Sequence, residues 1–61
     1  MLSNPQPGQR VQCWYKDRSM PLHGRTGRVA VVSRGRPRNH GVEIDGDVYV
    51  VPAGNLRKVE Q

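Results

Sequence analysis

Cysteine, phenylalanine and long apolar runs are what this sequence lacks. Cys13 is the only cysteine among 61 residues, so no intramolecular disulfide can form and a cysteine-rich zinc site is excluded. A reducing, cytoplasmic setting is therefore expected. The longest apolar runs, Val29 to Val32 and Val48 to Val51, are four residues each, too short for a membrane span. The opening "MLSNPQPGQR" has no apolar centre, so neither a secretory signal nor a membrane partner is expected. Helical spacing is missing too: no stretch of ten residues repeats apolar positions at i, i+3 and i+4 without Gly or Pro interrupting it. His23, His40 and Cys13 match no metal-ligand spacing. No Ser/His/Asp set, P-loop or HExxH is present either. No metal, no cofactor and no enzymatic activity are expected.

Positive charge, by contrast, is abundant. Ten Lys and Arg stand against five Asp and Glu, a formal +5, and eight of the ten bases are Arg. The excess is uneven along the chain. Residues 1–38 hold eight bases and one acid, Asp17, whereas residues 39–61 hold Arg57 and Lys58 against four acids. The planar guanidinium suits bidentate phosphate contacts and stacking on bases. The asymmetry points to a polyanionic partner, RNA or DNA, with plain solubility as the alternative.

Alternation of apolar and polar residues marks the strands. "QRVQCWY" (9–15) sets Val11, Cys13 and Tyr15 against Gln12 and Trp14; "GRVAVVS" (27–33) sets Val29 and Val31 against Arg28, Ala30 and Val32. "HGVEID" (40–45) alternates Val42 and Ile44 with acids, "DVYVVP" (47–52) is apolar through its centre, and "LRKV" (56–59) closes the set. "PAGN" (52–55) suits a single 3₁₀ turn between the last two strands. Two registers are open at the third hairpin. A two-residue Asp45-Gly46 turn puts Ile44, Asp47, Tyr49 and Val51 on one face; a three-residue turn with a bulge puts Val48 and Val50 inside. The second is expected, because it keeps Asp47 off the core face. Short strands, Gly-rich turns and no helix argue for a small closed barrel.

In order, "GQRVQCW", a basic loop, "GRTGRVAVV", a second loop and "GVEID" resemble the KOW motif of small barrels in ribosomal proteins and transcription elongation factors. The matching positions are Gly8, Val11, Cys13, Gly24, Gly27 and Val29, with Val42 and Ile44 as the third-strand pair. The closing "VPAGNLRKV" is similar to the final turn and strand of such folds. The resemblance implies an all-β fold: a single five-stranded SH3-like barrel over residues 9–61, with a short 3₁₀ turn before the last strand and a flexible lead-in over 1–8. It also implies nucleic-acid binding. The loop "KDRSMPLH" (16–23) is several residues longer than the motif carries.

The candidate binding residues follow from the loops. In "LHGRTGRVAVVS" (22–33), Gly24 and Gly27 supply a positive φ or a close backbone approach, and Arg25 and Arg28 bracket the bend. Their guanidiniums are expected to converge with backbone N–H groups on one phosphate; solvated arginines beside a plain turn are the alternative. "SRGRPRN" (33–39) offers Arg34, Arg36 and Arg38 to a backbone or a groove. Lys16 and Arg18 add charge from the long loop. Trp14, on the face opposite Val11 and Cys13, is expected to be partly exposed and to stack on a base or anchor a protein. Otherwise Met20 or Leu22 covers it. A protein-interaction module using Trp14, Tyr49 and Val51 is the second reading. A third is enzymatic, since "VYVVP" is similar to the "VQIYP" strand of type II dihydrofolate reductases. Tyr49 and Val51, however, stand where that motif carries Gln and Tyr.

Overall fold

The computed structural model describes residues 5–59. Each alternating segment forms a strand: β1 (Arg10–Cys13), β2 (Thr26–Val31), β3 (Asn39–Ile44), β4 (Asp47–Pro52) and β5 (Leu56–Lys58), with a 3₁₀ turn over Ala53–Asn55. The five strands make one sheet in the order β4-β3-β2-β1-β5, and every neighbouring pair is antiparallel. This is the expected all-β domain, a five-stranded antiparallel sheet with a 3₁₀ turn before its last strand.

That order forces the sheet to curl. β4 and β5 are its opposite edges, yet only Ala53–Asn55 joins them. Four flat inter-strand spacings amount to about 19 Å. The short link reaches at most about 14 Å. The curl gathers the inward side chains into one cluster of Val11, Cys13, Val29, Val42, Ile44, Val51 and Leu56, with Tyr15, Leu22 and Val32 packed against it. No ladder joins β4 to β5 among the described residues.

Two local devices overrule the expected alternation. At the β3–β4 hairpin, Ile44 pairs with Asp47, so the turn is the two-residue one, with Asp45 at φ 52° and Gly46 at φ 88°. A two-residue turn with both central residues at positive φ follows the right-handed twist of the strands, and Asp47 is tolerated because the hairpin end is solvated. The expected bulged register is therefore wrong. Val48 and Val50 face solvent at 57% and 72% exposure, while Val51 is buried. On β2, the register shifts by one residue between Val29 and Val31. This bulge turns Val31 outward to 59% exposure and lays it over Gly41; Val32, not Val31, packs against the core.

Of the expected lead-in, residues 1–4 lie outside the described residues. Pro5 is buried, and Gly8, at φ +84°, donates its N–H to the Val29 carbonyl at 2.7 Å. Val29 in turn donates to Gln9, which continues the β1–β2 pairing toward the N-terminus.

Burial has a consequence for the one thiol. It pushes Cys13 above its ordinary value of 9.0, against the smaller opposing pull of the Arg25 charge, and burial likewise raises Tyr15. A raised folded-state pKa gives stability that is complete below the unfolded value and is lost as pH rises toward the folded one. Stability to urea should therefore fall as pH rises past about 9, and Cys13→Ala should remove the part of the fall that sets in first, leaving the part that Tyr15 adds past about 10.

Candidate nucleic-acid interface

All eight residues singled out above are exposed, but they fall into separate groups. Arg25 precedes β2 and reaches across to the β3–β4 turn, where Nη2 pairs with the Asp45 carboxylate. Arg28 lies within β2 beside Arg10 and Glu43 in the register, and its Nη1 donates to the Gly8 carbonyl at 3.1 Å. The two arginines thus serve different partners, and the expected convergence on one phosphate is not what the geometry provides. An odd separation along an extended chain sends neighbouring side chains to opposite faces. The glycines do what was expected of them. Gly24 sits at φ +80°, and an added Cβ on Gly27 would run into the Glu43 carbonyl.

Lys16 and Arg18 project from an ordered loop. Asp17 Oδ1 accepts from the Ser19 N–H at 2.9 Å and from its hydroxyl at 2.6 Å. These bonds hold the Asp17 carboxyl below its ordinary range. Successive turns bring Met20 N–H to Asp17 and His23 N–H to Met20. His23 Nδ1 then accepts from the Tyr15 N–H at 3.0 Å, closing the loop onto the end of β1.

Trp14 is 39% exposed, as its place opposite the core side chains implies. Its cover differs from the expected Met20 or Leu22. The Arg57 guanidinium carbon lies 3.7 Å from the Trp14 ring centroid, and the His23 ring is 4.4 Å away at a 47° tilt. Gln12 orients that guanidinium through a 2.8 Å bond from Arg57 Nε, because the β1–β5 register sets Gln12 opposite Arg57. Arg57 escaped the sequence reading, since only the pairing of two distant segments reveals it. Its loss should cost about 0.5–1 kcal/mol, typical of an exposed cation–π contact. Arg57→Ala should also shift the Trp14 emission to longer wavelength, which steady-state fluorescence will read.

Arg34, Arg36 and Arg38 occupy the β2–β3 loop, all exposed. Among the described residues, Arg34 and Arg36 make no ion pair. The backbone of this loop is anchored at both ends: the Ser33 N–H donates to His40 Nδ1 at 3.0 Å, and the Arg38 carbonyl accepts from Ala53 at 2.8 Å. His40, weighed above only as a metal ligand, is buried instead: its place two before Val42 on an alternating strand puts it on the inward face. The expected apolar patch of Trp14, Tyr49 and Val51 is not assembled, because Val51 is buried. The exposed apolar residues of the outer face are instead Val31, Val48 and Val50, grouped around Gly41.

Compared with protein-family models, curated proteins and solved structures, the chain matches none.

Proposed function

We propose that this chain is a nucleic-acid-binding module, a small SH3-like barrel of KOW type that grips phosphates through arginines. One observation carries the reading. Arg34 and Arg36 stand exposed and without ion pairs among the described residues, beside Arg38 on a loop tethered at both ends. Such a loop presents charge to a backbone at little cost in chain ordering. The sheet order and the short link between its edges support the barrel reading. Arg25 contributes less than the sequence alone suggested, since Asp45 already neutralises it. Trp14 stacks on a base only after Arg57 moves aside or sandwiches that base.

The test is a fluorescence-anisotropy titration of labelled single- and double-stranded DNA and RNA at low salt. Binding to any of them supports the module. No binding to all of them overturns it and favours a protein partner on Val31, Val48 and Val50, the strip the fold leaves open.

A further inference from the structure

The two edges of the sheet are built differently. β5 is three residues long and carries Arg57 and Lys58, the short, charged form that keeps an edge from pairing with another chain. β4 is six residues long, and from Val48 to Val51 it has no charge, no proline and no bulge in its register with β3. Opposed residues of an antiparallel ladder alternate between pairs that exchange hydrogen bonds and pairs that do not. The two-residue turn makes Ile44 and Asp47 a bonded pair, so Val42 with Tyr49 and His40 with Val51 are bonded too. Val48 and Val50 alternate with these and turn their N–H and C=O groups away from β3, to the open edge. Both are exposed. Beside Tyr49 and Val50 lies a groove of about 470 Å³, whose other walls include Tyr15, Met20, Pro21 and Leu22.

We infer that β4 is the interface of a homodimer, in which the β4 edge of a second copy pairs with it antiparallel across a two-fold axis. The inference stands apart from the nucleic-acid reading. A two-fold joins only a surface that is complementary to itself, and the β4 edge meets that condition. With the axis at Tyr49, Val48 of each copy falls opposite Val50 of the other, so every outward N–H has an outward C=O to bond. Pro52, which has no N–H, falls opposite Gly46 of the second copy, just past the end of that ladder. The valines make one apolar strip across the seam, and the two Tyr49 rings oppose each other at the axis, in an unbonded pair where side chains lie closest.

Charge fits the same register. Asn39 lies opposite Pro52 within the chain. The acidic turn Asp45–Asp47 of each copy therefore lies two strand spacings, about 10 Å, from the Arg38 end of the other's arginine loop. Among the described residues Asp47 makes no ion pair, so its charge faces that loop undiminished. The two Asp47 carboxylates stand four residues apart along the strands, about 13 Å, beyond the screening length of about 8 Å at physiological salt.

The experiment is sedimentation equilibrium of the unaltered chain from micromolar to millimolar concentration, with residue-by-residue amide exchange by NMR at both ends of that range. The mass should rise from one chain to two. Exchange at Val48 and Val50 should slow by at least about tenfold at the concentrated end, whereas the Tyr49 N–H, bonded to β3 in either state, is protected throughout. Val50→Lys should keep the folded spectrum and weaken the dimer by at least about tenfold, by placing two charges at the seam. Val31→Lys, on β2 and off the edge, should still dimerise. A single-chain mass at every concentration would overturn the inference. So would a dimer in which the Val48 and Val50 amides exchange as fast as in dilute protein, since the copies would then meet on another surface.

Discussion

Gly27→Ala is expected to unfold the domain or leave it barely folded at room temperature. An added Cβ would fall well inside van der Waals distance of the Glu43 carbonyl oxygen and 2.7 Å from Ile44 Cγ1. Neither neighbour can yield cheaply. Glu43 is held in the β2–β3 ladder opposite Arg28, and Ile44 belongs to the core. Overpacking of this kind costs about 1–3 kcal/mol when side chains can shift, and more when backbone is struck. At about 0.05–0.15 kcal/mol per residue, a chain of this size has only a few kcal/mol to lose. Two other glycines give the scale. Gly24→Ala meets open space but must hold φ near +80°, and should cost about 1 kcal/mol. Gly54→Ala meets nothing within 4 Å and has no positive φ, so it should stay within about 0.5 kcal/mol of the parent. Urea unfolding followed by Trp14 emission ranks all three; equal midpoints for Gly27→Ala and Gly54→Ala would contradict the close approach.

The second large effect concerns affinity. Replacing Arg34, Arg36 and Arg38 together by alanine should weaken oligonucleotide binding by about 100-fold or more at low salt, since each lost charged contact is worth over tenfold. Arg34→Ala with Arg36→Ala alone should leave the unfolding free energy in urea within about 0.5 kcal/mol, because both are exposed loop residues away from the core cluster. Arg25→Ala makes the contrast, since its charge is already spent on Asp45. Its affinity should change by less than about threefold, the scale of a screened surface charge. Equal losses from Arg25→Ala and from the triple variant would move the site to the strand entrance.

How far the fold was legible follows from where period-two alternation survives. Val11, Cys13, Val29, Val42 and Ile44 occupy the core, each in the period-two alternation of its strand and each with at least one neighbour that is charged or amide-bearing. From Val48 to Val51 every residue is apolar, so no alternation remains to choose the face. Turn geometry made that choice, through the positive φ of Asp45 and Gly46. Val31 was misassigned for a different reason: a bulge inserts one residue without a sequence signature. At the candidate site, the charge of the 33–39 loop and the exposure of Trp14 were both legible. The ion pair of Arg25 and the cover on Trp14 were not, since Asp45 and Arg57 reach them from segments 20 and more than 40 residues away.

The most direct test of the account is the salt dependence of oligonucleotide binding by the unaltered chain. Three arginines on phosphates predict that log affinity falls against log salt with a slope of about −2 to −3, by release of the counterions they displace. A flat line, with binding held constant from low to physiological salt, would contradict phosphate recognition by the arginine loop.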